Sequence, residues 1–175
     1  MYNRFFGLVI TLFVCLTVIQ PIQAQENGTI QATATVISAI TILGTNDLRF
    51  GTVIPGLDKT VDKSSAGFAG EWQINGNSGA EITFDFILPD SIFLVDSSNG
   101  MRISFNNTDV SYDDETGGGQ TAPAGVVNPN GPSVQNLGAG GTLLVWIGGT
   151  VFPGLTQTGG DYAGDIVLSI AYTGG

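Results

Sequence analysis

The feature that most constrains this chain is hydrophobic alternation with a period of two. Across residues 81–88, Ile82, Phe84, Phe86 and Leu88 fall on one side, while Glu81, Thr83 and Asp85 fall on the other. Successive side chains of an extended strand point to opposite faces, so this run makes a strand with one buried and one wet face. The rhythm recurs over residues 29–43, where Ile30, Ala32, Ala34, Val36, Ile40 and Ile42 oppose Gln31, Thr33, Thr35 and Thr41. Residues 48–53 read as a short strand stopped by Pro55-Gly56, and residues 68–74 set Phe68, Trp72 and Ile74 against Glu71 and Gln73. Residues 92–95 and 101–105 flank a Ser-Ser-Asn-Gly sequence, and Asn-Gly accepts the positive φ angles of a tight hairpin. Residues 142–151 form a nearly continuous apolar run, which predicts a strand covered on both faces. At the end, Ile166, Leu168, Ile170 and Tyr172 are again in step.

No window of ten or more residues combines helical periodicity with caps. Glycine makes up 26 of the 175 residues; it is costly inside helices and natural at turns. The sequence therefore predicts one all-β domain, an antiparallel sandwich or barrel of about eight or nine short strands. Residues 106–136 break the pattern. They hold Gly117-Gly118-Gly119, Pro123, Pro129, Pro132 and the acidic run Asp113-Asp114-Glu115. A short strand is expected at residues 110–112, followed by a long Gly/Pro-rich surface loop, an uncommon feature in a compact domain.

The first 24 residues read as a secretory signal peptide. Arg4 precedes an apolar run over residues 5–19, too short for a comfortable membrane span, and Ala24 supplies a small residue for cleavage before Gln25. Cleavage leaves residues 25–175 as one domain, secreted or displayed at the cell surface, with no membrane span. It removes Arg4 and Cys15, leaving four basic residues (Arg49, Lys59, Lys63 and Arg102) against fifteen acidic ones and no cysteine. That balance argues against nucleic acid, whose binding rests mainly on Lys and Arg at phosphates.

Catalysis is narrowed just as sharply. With no histidine in the chain, Ser-His-Asp and Cys-His machinery and histidine-ligated metals are excluded. Glu71, Glu81 and Asp85 could in principle act as a carboxylate pair, but they occupy faces that read as solvent-exposed. The Gly138-Ala139-Gly140-Gly141-Thr142 sequence lacks the Lys of a phosphate loop. The expectation is a protein that is not an enzyme and needs no cofactor. Asp109, Asp113, Asp114 and Glu115 are weak Ca²⁺ candidates, because they lack the alternating spacing that wraps a loop around the ion. Trp72 and Trp146 read as core aromatics, and a surface Trp could instead stack on sugar.

The order of motifs resembles the DUF4402 family of bacterial secreted proteins. Ala32-Thr33-Ala34-Thr35-Val36 leads through Ile40-Thr41-Ile42 to Asp47-Leu48-Arg49-Phe50-Gly51, like the opening A-x-A-x-V strand and D-L-x-F-G element of that family. Gly140-Gly141-Thr142-Leu143, then Gly160-Asp161-Tyr162-Ala163-Gly164, then the strand ending at Tyr172, are similar to its late elements. The middle, with Trp72 and the strand running from Ile82 to Pro89, fits as well. The resemblance implies an immunoglobulin-like sandwich and a non-enzymatic structural role like that of fimbrial or spore-coat subunits. The partners it implies are copies of the chain or related subunits, and a periplasmic chaperone. In that reading Ile30, Ala32, Ala34 and Val36 form the assembly strand donated to a neighbour. The acceptor groove would be lined by Phe84, Phe86, Leu143 and Val145, and the C-terminal strand of Ile166, Leu168, Ile170 and Tyr172 would meet the chaperone. The alternative is a monomeric secreted module that binds carbohydrate or Ca²⁺.

Overall fold

The computed structural model describes residues 26–95 and 98–173. The expected signal peptide lies outside the described residues. The chain divides into two compact units, Met1–Thr35 and Val36–Gly175. Within the first, residues 26–35 form no strand and are exposed.

Among the described residues all the regular structure lies in the second unit, and it is entirely β. Its strands are β1 (Thr41–Asn46), β2 (Lys59–Val61), β3 (Gly70–Asn75), β4 (Glu81–Ile87), β5 (Ser91–Leu94), β6 (Gly100–Ser104) and β7 (Val110–Asp113). They continue with β8 (Gly125–Val127), β9 (Ser133–Asn136), β10 (Thr142–Ile147), β11 (Gly149–Phe152), β12 (Tyr162–Ala163) and β13 (Val167–Tyr172). Every pairing is antiparallel. One sheet runs β1-β3-β10-β7-β8, a second β12-β5-β6-β11-β2, and a small third β13-β4-β9. The all-β antiparallel sandwich expected from the alternation is therefore what forms, with more and shorter strands than the eight or nine expected.

The sheets share one core. Ile74, Leu143, Val145, Ile147, Val110 and Val127 come from the first sheet; Ile82, Phe84, Phe86 and Leu168 from the third; Ile92, Met101, Ile103 and Val151 from the second. Phe84 meets Phe86 edge-on at 6.0 Å between ring centroids, and Phe86 meets Trp72 of the first sheet at 5.8 Å. Burying each large side chain contributes about 1.5–3 kcal/mol, so this cluster supplies the main driving force without disulfides. β4 follows the alternation as expected, with Ile82, Phe84 and Phe86 buried and Glu81, Asp85 and Ile87 exposed.

Four expectations need correction. The apolar run 142–151 is not one strand. It is β10 in the first sheet and β11 in the second, bent at Gly148-Gly149 so that one stretch of chain joins two sheets. Gly148 sits so close to the Val61 carbonyl and the Lys63 amide that any side chain would collide with them. Residues 48–53 form no strand, and Gly51 takes a positive φ of 64° there. Only the end of the 29–43 pattern is paired, at Thr41–Asn46, because an alternating segment has the capacity to pair but still needs a free neighbouring edge. Residues 106–136 carry β7 where expected, but also β8 and β9, so the surface loop is much shorter than predicted.

Candidate functional site: an exposed arm and an open cleft

Two features stand apart from the closed core. The first is the N-terminal arm. Ile30 is 95% exposed and Val36 93%. Ala32 and Ala34 are exposed too, so the four expected assembly residues all lie outside any sheet. Residues 27–46 carry no charge at all, in a chain of net charge −10.

The second feature is a cleft of about 1110 Å³ within the Val36–Gly175 unit. It lies between an edge of the first sheet, where Gly44 and Asn46 of β1 line it, and an edge of the second, where Tyr162 and Ala163 of β12 line it. Trp72, Ile92, Met101 and Ile103 form an apolar floor. One wall is residues 48–53. Among the described residues this stretch makes one backbone–backbone hydrogen bond, from the Arg49 amide to the Phe68 carbonyl at 2.7 Å. Its other main-chain groups have no further backbone partner among the described residues, and such groups favour a partner once water is displaced.

The other wall is braced. The Tyr162 hydroxyl donates to the Thr158 carbonyl at 2.8 Å and accepts from Gln157 Nε2 at 2.6 Å, which fixes the ring. Trp72 is held by Phe86, and across the ladder it faces Gly44, which has no side chain to cover the indole edge. The rim carries Asp47, Asp161, Asp165 and Arg49. The Asp47–Arg49 pair, at 3.2 Å, is largely solvent-exposed and contributes little.

Phe84, Phe86, Leu143 and Val145, expected to line an acceptor groove, are buried in the core and do not line this cleft. Phe84 is 1% exposed, and Leu143 and Val145 are fully buried. Alternation identifies inward-facing residues but does not say which part of the interior is left open. Sequence reasoning missed the cleft walls. The signal available was residues 48–53, a strand-like run with Pro and Gly at its end. Of the C-terminal residues, Leu168, Ile170 and Tyr172 lie in β13, while Ile166 falls just outside it. β13 is an edge strand, paired with β4 on one side only.

The acidic residues serve the backbone. Asp113, 5% exposed, accepts from the Gly117 amide at 3.0 Å and the Gly119 amide at 2.6 Å. Asp114 accepts from the Thr116 amide and hydroxyl. Glu115, at a φ of 71°, accepts from the Gly140 amide at 2.6 Å, and Asp109 accepts from the Asn106 amide at 2.7 Å. Asp113 and Asp114 thus hold one turn over residues 113–119, Glu115 reaches the turn before β10, and Asp109 holds the turn between β6 and β7. Among the described residues no three Asp, Glu, His or Cys side chains gather as a metal site. Asp62 caps the Ser64 hydroxyl and amide, which hold its carboxyl below the usual aspartate range.

Trp146 is buried on the sheet face opposite the core, beside Ser111. A hydrogen bond at 2.8 Å from Gln120 Nε2 to the Lys63 carbonyl ties the acidic loop to the turn after β2.

The fold and the site define an antiparallel β-sandwich with an open flank, preceded by an uncharged segment, residues 27–40, that forms no strand. No protein-family model matches the chain, and no curated protein matches it. No helix among the described residues is long and apolar enough to cross a membrane.

Proposed function

We propose that this is a secreted, non-enzymatic structural subunit, of the immunoglobulin-like kind found in fimbriae and coats, and that it assembles by β-strand complementation. The DUF4402-like order of motifs supports the class. The observation that carries the mechanism is the arm: Ile30 and Val36 stand almost fully exposed in an alternating, uncharged segment that joins no sheet. The acceptor is the cleft. An added strand would pair with the unpaired backbone of residues 48–53 and lay alternate side chains on Trp72, Ile92, Met101 and Ile103. A neutral donor is what an acidic body can accept, since a charged one would meet Asp47, Asp161 and Asp165. The open edge of β13 suits a periplasmic chaperone that holds the subunit before assembly.

The test is the solution mass of residues 25–175 by light scattering over a range of concentrations, with titration of a synthetic 27–37 peptide. Multimers that survive dilution and are lost in Ala32→Asp/Ala34→Asp support the proposal. A monomer at every concentration, with no peptide binding, overturns it.

A second reading rests on Trp72, whose indole edge opens into the cleft: a module that binds neutral carbohydrate. A glycan that quenches Trp72 while buried Trp146 is unaffected would favour it.

A further inference from the structure

A bare sheet edge invites pairing with another chain, and folded proteins blunt their edges with short strands, prolines, bulges or charge. Among the described residues the three sheets end in six edge strands: β1, β8, β12, β2, β13 and β9. Four of these are blunted. β8 has three residues and lies between Pro123 and Pro129, and β9 has four and follows Pro132 directly. β12 has two residues and lies between Asp161 and Asp165. β2 has three and begins with Lys59, next to Asp58. The other two differ: β1 and β13 each run six residues with no charge and no proline.

β1 is the barer of the pair. In β13 the alternate residues Leu168, Ile170 and Tyr172 are buried or half-buried, whereas five of the six residues of β1 are exposed. Leu43 is 64% exposed. Ile42 stands opposite the fully buried Ile74 and so faces the core, yet it is 38% exposed. The ladder from β1 to β3 is regular over Thr41–Gly44 and shifts only between Gly44 and Asn46, at the end next to the cleft. The β3 residues beside the regular part, Trp72, Gln73, Ile74 and Asn75, are uncharged as well.

Charge points to the occupant. With a net charge of −10, two copies of the chain repel wherever their carboxylates meet, and the β1 margin is a place where they meet without them. Charge also sets the direction. Asp47 follows β1 directly, so a parallel pairing of two β1 strands would put two Asp47 side chains side by side. An antiparallel pairing centred on Leu43 places them four residues to either side of the centre, about 26 Å apart, far beyond a Debye length of about 8 Å. It also lays Leu43 against its counterpart and covers the open side of Ile42. Each copy offers the same strand, so the contact is two-fold symmetric and closes as a dimer.

We infer that β1 is a docking edge for a second copy of this chain, pairing antiparallel with its counterpart to join two five-stranded sheets into one. This is separate from strand complementation, because it uses β1 instead of the cleft and needs no donated segment.

The experiment uses residues 25–175 carrying Ala32→Pro and Ala34→Pro. The prolines remove main-chain donors that a donated strand needs, add no charge, and fall at exposed positions outside any strand. Light scattering is expected to show the mass doubling as concentration rises. Hydrogen exchange is expected to slow at residues 41–46 over the same range and to stay unchanged at residues 133–136. Leu43→Lys sets two ammonium groups face to face at the centre of the contact and is expected to return the mass to that of a monomer. Val134→Lys, an exposed site on the blunted β9 edge, is expected to leave the dimer intact. A ¹H–¹⁵N spectrum of Leu43→Lys verifies that the sandwich is unchanged. A monomer at every concentration in the proline variant overturns the docking edge and leaves strand complementation to its own test. A dimer that survives Leu43→Lys, or whose protection lies outside residues 41–46, overturns it too.

Discussion

Asp113 offers the sharpest test of how the acidic segment is held. Its carboxylate is 5% exposed and accepts two backbone hydrogen bonds, one at each oxygen, from Gly117 and Gly119. A hydrogen bond to a charged group contributes about 1.5–3 kcal/mol, and deleting the acceptor strands the donors. The two amides sit in a partly exposed loop where water can reach them, so the lower end applies to each. Asp113→Ala is expected to cost about 2–3 kcal/mol in all. Asp113→Asn keeps one acceptor oxygen but turns an amide N–H₂ towards the other donor, and is expected to recover less than half of that. Asp114→Ala is the control: it bonds only Thr116, two residues away in an exposed turn, and is expected to cost under about 0.5 kcal/mol. Urea unfolding of the mature chain, followed by Trp fluorescence with a shared m-value, reads all three. Equal losses for Asp113→Ala and Asp114→Ala would refute the view that the buried carboxylate organises the loop. So would restoration of Asp113→Ala by millimolar Ca²⁺, because it would make the cluster a cation site.

Phe84→Ala removes a ring that is 1% exposed in the shared core and is expected to cost about 3–5 kcal/mol in the same urea assay. Gly148→Ala drives a methyl group into the Val61 carbonyl at the bend between β10 and β11, and is expected to lower the melting temperature more than Gly131→Ala, where the added methyl meets open space. Asp62 titrates below the usual aspartate range because it is bonded first to the Ser64 side chain and then to its backbone amide. Its small contribution to stability is therefore present above the unfolded value and lost as pH falls through the lower folded value. NMR titration is expected to show the midpoint rising in Ser64→Ala. Finally, if neutral arms join acidic bodies, raising salt from 10 to 150 mM shortens the Debye length from about 30 to 8 Å and is expected to speed multimer growth in light scattering; slower growth would count against a neutral donor.

The sequence makes the strands legible where one face is buried and the other wet, because the period of two then carries both the element and its orientation. β4 is the clearest case: Ile82, Phe84 and Phe86 point inward as the alternation requires. The C-terminal strand and the β5–β6 hairpin are legible for the same reason. Legibility fails where a local pattern has two possible partners. Residues 142–151 are apolar throughout, and nothing local says that the pair Gly148-Gly149 bends the run between sheets. That depends on how closely the Val61 carbonyl approaches, which is a long-range fact. The 106–136 segment hides β8 and β9 because three-residue and four-residue strands are too short to show a period among prolines and glycines.

The arm is the most instructive failure. Residues 29–40 have the alternation of a strand and are expected to pair, yet only Thr41–Asn46 does. Alternation records a capacity to fill successive pockets; it does not record whose pockets they are. The cleft repeats the lesson from the other side. Its floor of Ile92, Met101 and Ile103 reads in sequence as ordinary core, and only the absence of a covering strand distinguishes it. An exposed alternating segment reads as ordinary strand and the floor of an open cleft reads as ordinary core, because the period of two records side-chain direction and not what lies beyond it.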